Sequence, residues 1–329
     1  MTCHRRAFFA GTALAMSVGA RSAAAQARTG PYRIGMLSGG GLQGSPDWDA
    51  FYARMRELGY VEGRNVVYDR HAAAGEPARL PQMARAIVAA RPNLIVTTGA
   101  SEALAARQAT TTIPIVMIFG GDPVGAGLAA SLARPGGNVT GLTRNIPGFI
   151  AKSLELLTEA LPQATRIGVL ANTDSPSYAL YRKELDLAAT RLSVTALPSA
   201  SASRPEQLPA AFARLEQQRP QALFVIGDVL FYVQRQRVVD FARQLRLPSM
   251  HSFTEEVDAG GLMAFTVVRR ELYERAPVFV DKVLKGADPG MIPIEQPTRF
   301  GLWINLRTAR ELGLTMAPSL LLRAEKVIE

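Results

Sequence analysis

Cysteine is almost missing from this chain: the only one among 329 residues is Cys3. A single thiol can form no internal disulfide, and if the first residues are removed no thiolate chemistry remains. Histidine is nearly as scarce, and His71 and His251 lie far apart, so a His-rich metal site is not expected. There is no G-x-S-x-G nucleophile elbow and no phosphate-binding P-loop. No apolar run approaches the roughly 20 residues that cross a bilayer. Basic residues outnumber acidic ones by 37 to 28, yet they are scattered, as in Arg182-Lys183 and Arg235-Gln236-Arg237. Without a basic stripe interleaved with aromatics, nucleic acid is not expected as a partner.

What is present is the composition of a large globular protein, 48% hydrophobic and 20% charged, with length enough for two domains. The start reads as an address. His4-Arg5-Arg6 precedes an apolar stretch from about Ala7 to Ala20, and small residues follow up to Ala25-Gln26-Ala27, an A-x-A cleavage pattern. Residues 1–27 are therefore expected to be a cleaved signal peptide. Arg5-Arg6-Ala7-Phe8-Phe9 is of the twin-arginine kind. Cys3 lies upstream of the apolar stretch, so the chain is not expected to be a lipoprotein. Removal of Arg5, Arg6 and Arg21 leaves 34 bases against 28 acids, a net charge of +6.

Beyond the signal, short β-branched runs alternate with Ala/Leu-rich helical patterns. Strands are expected at Arg33–Leu37, Val66–Asp69, Leu94–Thr97 and Ile115–Ile118, with helices at about 47–58, 78–90 and 101–109. The order then recurs, with strands at about 166–170, 194–197, 223–226 and near Ser249, and helices at about 177–192, 205–217 and 231–245. Arg33-Ile34-Gly35-Met36-Leu37 matches Arg166-Ile167-Gly168-Val169-Leu170, Arg91-Pro92-Asn93 runs parallel to Arg219-Pro220-Gln221, and Ile113-Pro114 to Leu247-Pro248. Three matches in one order predict two doubly wound parallel-sheet α/β lobes. Ligands on such sheets bind beyond the carboxyl ends of the strands, so facing lobes would enclose a cleft. Extended Gly-rich stretches at Gly136–Thr143, Gly260–Phe265 and Gln296–Asn305 are hinge candidates.

One motif invites an enzyme reading. Gly39-x-Gly41-x-x-Gly44 follows the first strand, with Asp69 ending the next, as in a dinucleotide fingerprint. That fingerprint needs its helix to begin within the glycines. Here Ser45-Pro46 reads as an N-cap followed by Pro at the first helical position, and Asp69 comes late. A cleft-mouth loop is the better account; an exported NAD(P)-dependent oxidoreductase is the alternative. His251, at a strand end, reads as a cleft residue. The candidate ligand-binding residues are polar groups at strand ends: Ser38, Gly99 and Ser101, Asp122, Asn172, Asp228 and Glu255. Gly99 and Ser101 open a helix suited to a carboxylate, and the acids suit an ammonium. Phe119, Phe231, Tyr232, Phe253 and Phe265 lie near the same ends and could enclose an apolar body.

Several segments are familiar. Gly59-Tyr60-Val61-Glu62-Gly63-Arg64-Asn65, Gly121-Asp122-Pro123-Val124-Gly125-Ala126-Gly127-Leu128 and Leu132-Ala133-Arg134-Pro135-Gly136-Gly137-Asn138-Val139-Thr140-Gly141 closely resemble a family of ABC-transporter substrate-binding proteins. So do Ala259-Gly260-Gly261-Leu262-Met263, Val280-Asp281-Lys282-Val283-Leu284-Lys285-Gly286-Ala287 and Pro318-Ser319-Leu320-Leu321-Leu322-Arg323-Ala324. The resemblance runs from about Tyr32 to the C-terminus. It implies the type I periplasmic-binding-protein fold with three chain crossings. The lobes would then be residues 28–141 with about 265–295, and 142–264 with about 296–329. It also implies a soluble periplasmic monomer without cofactor or metal, which hands a small polar or amino-acid-like ligand to an inner-membrane ABC permease with a cytoplasmic ATPase. Some relatives are linked to tryptophan or other aromatic amino acids. By the same likeness Ser101, Asp122 and Asp228 fall in loops lining the cleft. Phe265-Thr266-Val267 stands where relatives commonly have Tyr-Gly-Pro, so the ligand does not carry over. A soluble sensor for a membrane receptor is a further alternative on this fold.

Overall fold

A computed structural model of the chain describes residues 30–144 and 146–329. The signal segment with Cys3, Arg5 and Arg6 lies outside the described residues. Among the described residues no helix is long and apolar enough to cross a membrane.

The first half alternates β1 (Tyr32–Ser38), α1 (Pro46–Glu57), β2 (Val66–Ala72), α2 (Leu80–Ala89), β3 (Leu94–Thr97), α3 (Ala100–Ala109) and β4 (Ile115–Gly120), then β5 (Val139–Thr143). These strands form one parallel sheet in the order β2-β1-β3-β4-β5. The start of α1 is as the letters suggest: Ser45 is extended and its side chain accepts from the Trp48 N–H, with Pro46 at the first helical position. Trp48, Phe51 and Met55 recur at helical spacing and are buried against the sheet.

The second half begins with α4 (Phe149–Ala160) and runs through β6 (Arg166–Ala171), α5 (Tyr178–Arg191), β7 (Thr195–Ala196), β8 (Ala200–Ser201), α6 (Leu208–Gln218) and β9 (Ala222–Val225). Next come α7 (Val229–Val233), α8 (Arg235–Gln244), β10 (Ser249–His251), α9 (Thr254–Asp258) and β11 (Met263–Val267). The helix expected over 231–245 is thus two, broken at Gln234. The order β7-β6-β9-β10-β11 repeats that of the first sheet strand for strand. After α10 (Arg269–Leu284), β12 (Phe300–Asn305) joins β11 antiparallel; α11 (Leu306–Glu311), α12 (Pro318–Arg323) and β13 (Ala324–Ile328) complete the chain.

The repeat extends to single contacts. A Cβ on Gly35 would overlap Ile87 of α2 and approach Pro92; one on Gly168 would meet Leu215 of α6 and Pro220. Each glycine lets a helix lie close on its first strand. Arg91 (φ 50°) and Arg219 (φ 48°) both end their helices in the left-handed region. Asn93 and Gln221 then each accept the N–H of the arginine opening that strand, Arg33 or Arg166, at 2.8 and 3.0 Å.

The chain passes between the sheets three times: after Thr143, after Val267, and between Glu295 and Phe300. The hinge candidates at Gly136–Thr143, Gly260–Phe265 and Gln296–Asn305 overlap β5, β11 and β12, so much of each is sheet, and the crossings lie at their ends. Although it follows β11 of the second sheet, α10 packs on α1 and on the first sheet, where Tyr273, Ala276, Phe279 and Val280 enter the core.

Candidate functional site

The carboxyl ends of β1, β3 and β4 face those of β6, β9 and β10 across a cavity of about 300 Å³, the size of a small organic ligand. Trp48 and Phe119 line it from the first lobe, Tyr181, Tyr232 and Phe253 from the second, and Tyr273 from α10. The Trp48 indole N–H donates to the Gly41 carbonyl at 2.8 Å, and its ring meets Tyr273 edge-on. Phe119 approaches Phe253 with centroids 6.1 Å apart, and the Asp122 N–H donates to the Ser177 hydroxyl. These contacts join the two lobes in a closed arrangement.

Arg269, at the start of α10, bridges them by charge. Its guanidinium is 2.9 Å from Asp47 on α1 and 2.8 Å from Glu255 on α9, and it lies over the Tyr232 ring at 4.8 Å. Burial acts to lower the Arg269 pKa, but Tyr273, Glu255 and Asp47 outweigh it and hold the group above its ordinary value. Burial likewise raises Asp47, against the opposing pull of Arg269. It also pushes the Tyr273 phenol up to about 12.

Of the residues singled out in the sequence, Ser38, Gly99, Ser101, Asp228 and Phe253 line the cavity. Asp228 caps α7 by accepting from the Leu230 N–H, and its other oxygen accepts from the Asn172 side chain at 3.2 Å. Asn172 thus sits behind Asp228. Asp122 turns away to accept from the Gly125 N–H. Glu255 reaches the site through Arg269. Phe265 stacks with Phe149 and Phe300 in the second lobe, away from the cavity wall. Of the other aromatics, Phe119 and Tyr232 line the cavity and Phe231 is core. His251 is buried, with its ring nitrogen 2.8 Å from the Ser249 hydroxyl.

The Gly39–Gly44 loop is tied down from below. Glu102, fully buried, accepts from the Gly39 N–H at 2.7 Å and from Thr98 at 2.9 Å. A carboxylate already holds the first amide that a pyrophosphate would need, and α1 starts only at Pro46. Desolvation raises the pKa of both Glu102 and Asp228, and the charge of Asp228 adds a smaller push on Glu102.

Sequence reading missed Glu102, Arg144, Arg269, Trp48, Tyr181 and Tyr273. Glu102 sits one residue past Ser101 and is indistinguishable by pattern from a helix-dipole acid. Arg144 and Arg269 stand just past the ends of β5 and β11, where the chain crosses; only the crossings reveal them.

A family model of ABC transporter substrate-binding proteins matches residues 48–328. The chain belongs to this family. Among its relatives is a tyrosine-binding protein of Clostridioides difficile (strain R20291), 28% identical over 264 residues that span 80% of this chain and 75% of that protein. A conserved domain protein from Vibrio cholerae superposes with a TM-score of 0.83 at 27% identity, covering 90% of this chain and 99% of its own. An ABC domain in complex with L-Trp from Streptococcus pneumonia superposes with a TM-score of 0.82 at 25% identity, covering 91% and 100%. Members of this family bind a substrate for an ABC transporter, and an inter-lobe cavity is where two doubly wound lobes can do so.

Proposed function

We propose that this chain is an exported receptor that captures an aromatic amino acid or a close analogue between its lobes and delivers it to an ABC permease with a cytoplasmic ATPase. One observation carries the reading: aromatic side chains from both lobes and guanidinium groups at the crossings converge on a single cavity of ligand size. Rings enclose a planar side chain, and the charged groups orient the polar end. The relatives named for tyrosine and bound to L-Trp point to the same ligand class. Ser38, Gly99, Ser101, Asp228 and Phe253 contact the ligand in this reading. Asn172 and Glu255 position Asp228 and Arg269, and Asp122 shapes the Gly121–Gly125 turn.

The receptor reaches the periplasm through its twin-arginine signal, is cleaved after Ala27, and acts there as a soluble monomer without turnover. Ligand that binds only the folded state raises the melting temperature in proportion to ln(1 + [L]/Kd). A thermal-shift panel on residues 28–329 should respond to L-tryptophan, L-tyrosine or L-phenylalanine and not to NADH. If NADH alone shifts the protein, the receptor reading gives way to the oxidoreductase. Replacing Arg5-Arg6 by Lys-Lys should abolish export; unchanged periplasmic yield would assign the signal to the general secretory route.

A further inference from the structure

Among the described residues, Arg144 is the one cavity-lining cation that makes no ion pair with a carboxylate. It stands at the first crossing and is 8% exposed. Its guanidinium donates to the Gly227 carbonyl at 2.7 Å and faces three rings, Phe119 at 5.2 Å, Tyr181 at 5.5 Å and Phe253 at 5.6 Å. No carboxylate among the described residues comes within ion-pair distance of it. Asp228 is near enough to feel the charge but makes no ion pair with it; its oxygens accept from the Leu230 N–H and the Asn172 amide. Glu102 holds Gly39 and Thr98 through its Oε1 alone and makes no ion pair with Arg144. Arg269, the other cation on the wall, is matched by Asp47 and Glu255.

A buried charge without a counter-ion is costly, and a fold keeps one only where something else compensates. Ring faces and a carbonyl stabilise a guanidinium in part, while its remaining N–H groups are left for a planar two-oxygen acceptor. Gly227 is fitted to this: a Cβ there would come within 2.7 Å of the Arg144 Nη1. Burial raises the pKa of both Glu102 and Asp228, against the hydrogen bonds each accepts, and so disfavours their charged forms beside Arg144.

We propose that Arg144 is the receptor for a carboxylate of the ligand and the residue that restricts this site to planar apolar carboxylic acids. The proposal rests on the cavity being the ligand site. It makes the acid group the main polar determinant, ahead of any ammonium.

The test titrates L-tryptophan, L-tryptophanamide and indole-3-propionate into residues 28–329 and into Arg144→Gln and Arg144→Lys by calorimetry. The unsubstituted chain should bind both acids and bind the amide at least roughly 30-fold more weakly, the scale of a charged hydrogen-bonded pair. Arg144→Gln should lose that preference by weakening the acids and not the amide, and Arg144→Lys should keep part of it. The unliganded Arg144→Gln protein should melt no lower than its parent, since a lone buried cation is gone. If Arg144→Gln keeps the full preference for acids, or the unsubstituted chain does not discriminate acid from amide, Arg144 is not the carboxylate receptor, while the cavity reading survives. If none of the three binds the unsubstituted chain, the aromatic-ligand reading falls and the proposal with it.

Discussion

The two lobes share their scaffold and differ at the strand ends. Gly35 and Gly168 let a helix approach the first strand in each, and Arg91 and Arg219 end the following helix in the same left-handed conformation. Each lobe also ties the end of its first strand to the end of its third through a carboxylate, buried in the first lobe and half-buried in the second. The first lobe does so with Glu102 on the Gly39 backbone, the second with Asp228 on the Asn172 side chain. The first tie holds the backbone just past β1, whereas the second joins two side chains. Both carboxylates line the cavity. The doubled fold therefore supplies two frames, and the cavity wall is made by what departs from the repeat, including the two arginines at the crossings.

The largest test of that comparison falls on the shared glycines. Gly35→Val and Gly168→Val should each cost about 3 kcal/mol by overpacking, read as a lower urea midpoint, with Gly35 the worse because Ile87 leaves it less room. Near-neutral results at either site would mean that the two helix–strand contacts are not mechanically alike. Arg269→Met should cost about 2 kcal/mol by leaving Asp47 and Glu255 uncompensated, and should enlarge the radius of gyration of the unliganded protein in X-ray scattering as the lobes part. An unchanged scattering profile would place closure in the aromatic contacts instead.

The tied carboxylates give a smaller effect with a defined sign. Burial raises the pKa of Glu102, so the folded state holds its proton more tightly than the unfolded chain does. The stability this confers is fully present below the unfolded pKa and is lost as pH rises through the folded one. Glu102→Gln removes that dependence, so its melting temperature relative to the parent should climb as pH increases from 4 to 8. Asp228→Asn should follow the same trend, offset by about 1 kcal/mol for the disturbed Asn172 contact. A falling difference in either variant would show that the carboxylate is stabilised as an anion. Smallest of all, Arg91→Gly and Arg219→Gly should each gain about 0.5 kcal/mol by relieving a left-handed residue. A gain at one site only would show that the other is held by its neighbours.

How much of this the sequence discloses follows the same division. The frame was legible because it is periodic and local. Alternating strands and helices, the Arg-Ile-Gly pair and the Arg-Pro pair each act within a few residues, and the elements they predict fall within a few residues of the observed ones. The N-cap at Ser45 is legible for the same reason, and it argues against the dinucleotide fingerprint in the same direction as the tie from Glu102 to Gly39. The cavity wall was legible only at strand ends, where topology alone aims a side chain. Ser38, Ser101 and Asp228 reach the cavity that way, whereas Asp122 and Phe265 sit at comparable ends and turn elsewhere. Arg144 and Arg269 carry no local pattern; their place depends on crossings between sheets that close only in three dimensions. The helix α10 carries Pro277 in its interior, where a proline removes a backbone hydrogen bond.

The central claim is that one cavity between the lobes holds one aromatic amino acid or close analogue. Calorimetric titration of residues 28–329 with L-tryptophan and L-tyrosine, at several temperatures, tests it most directly. Saturable binding of one ligand per chain, with the negative heat-capacity change of apolar burial, is the expected result. The absence of binding heat for either amino acid at every temperature would contradict the account.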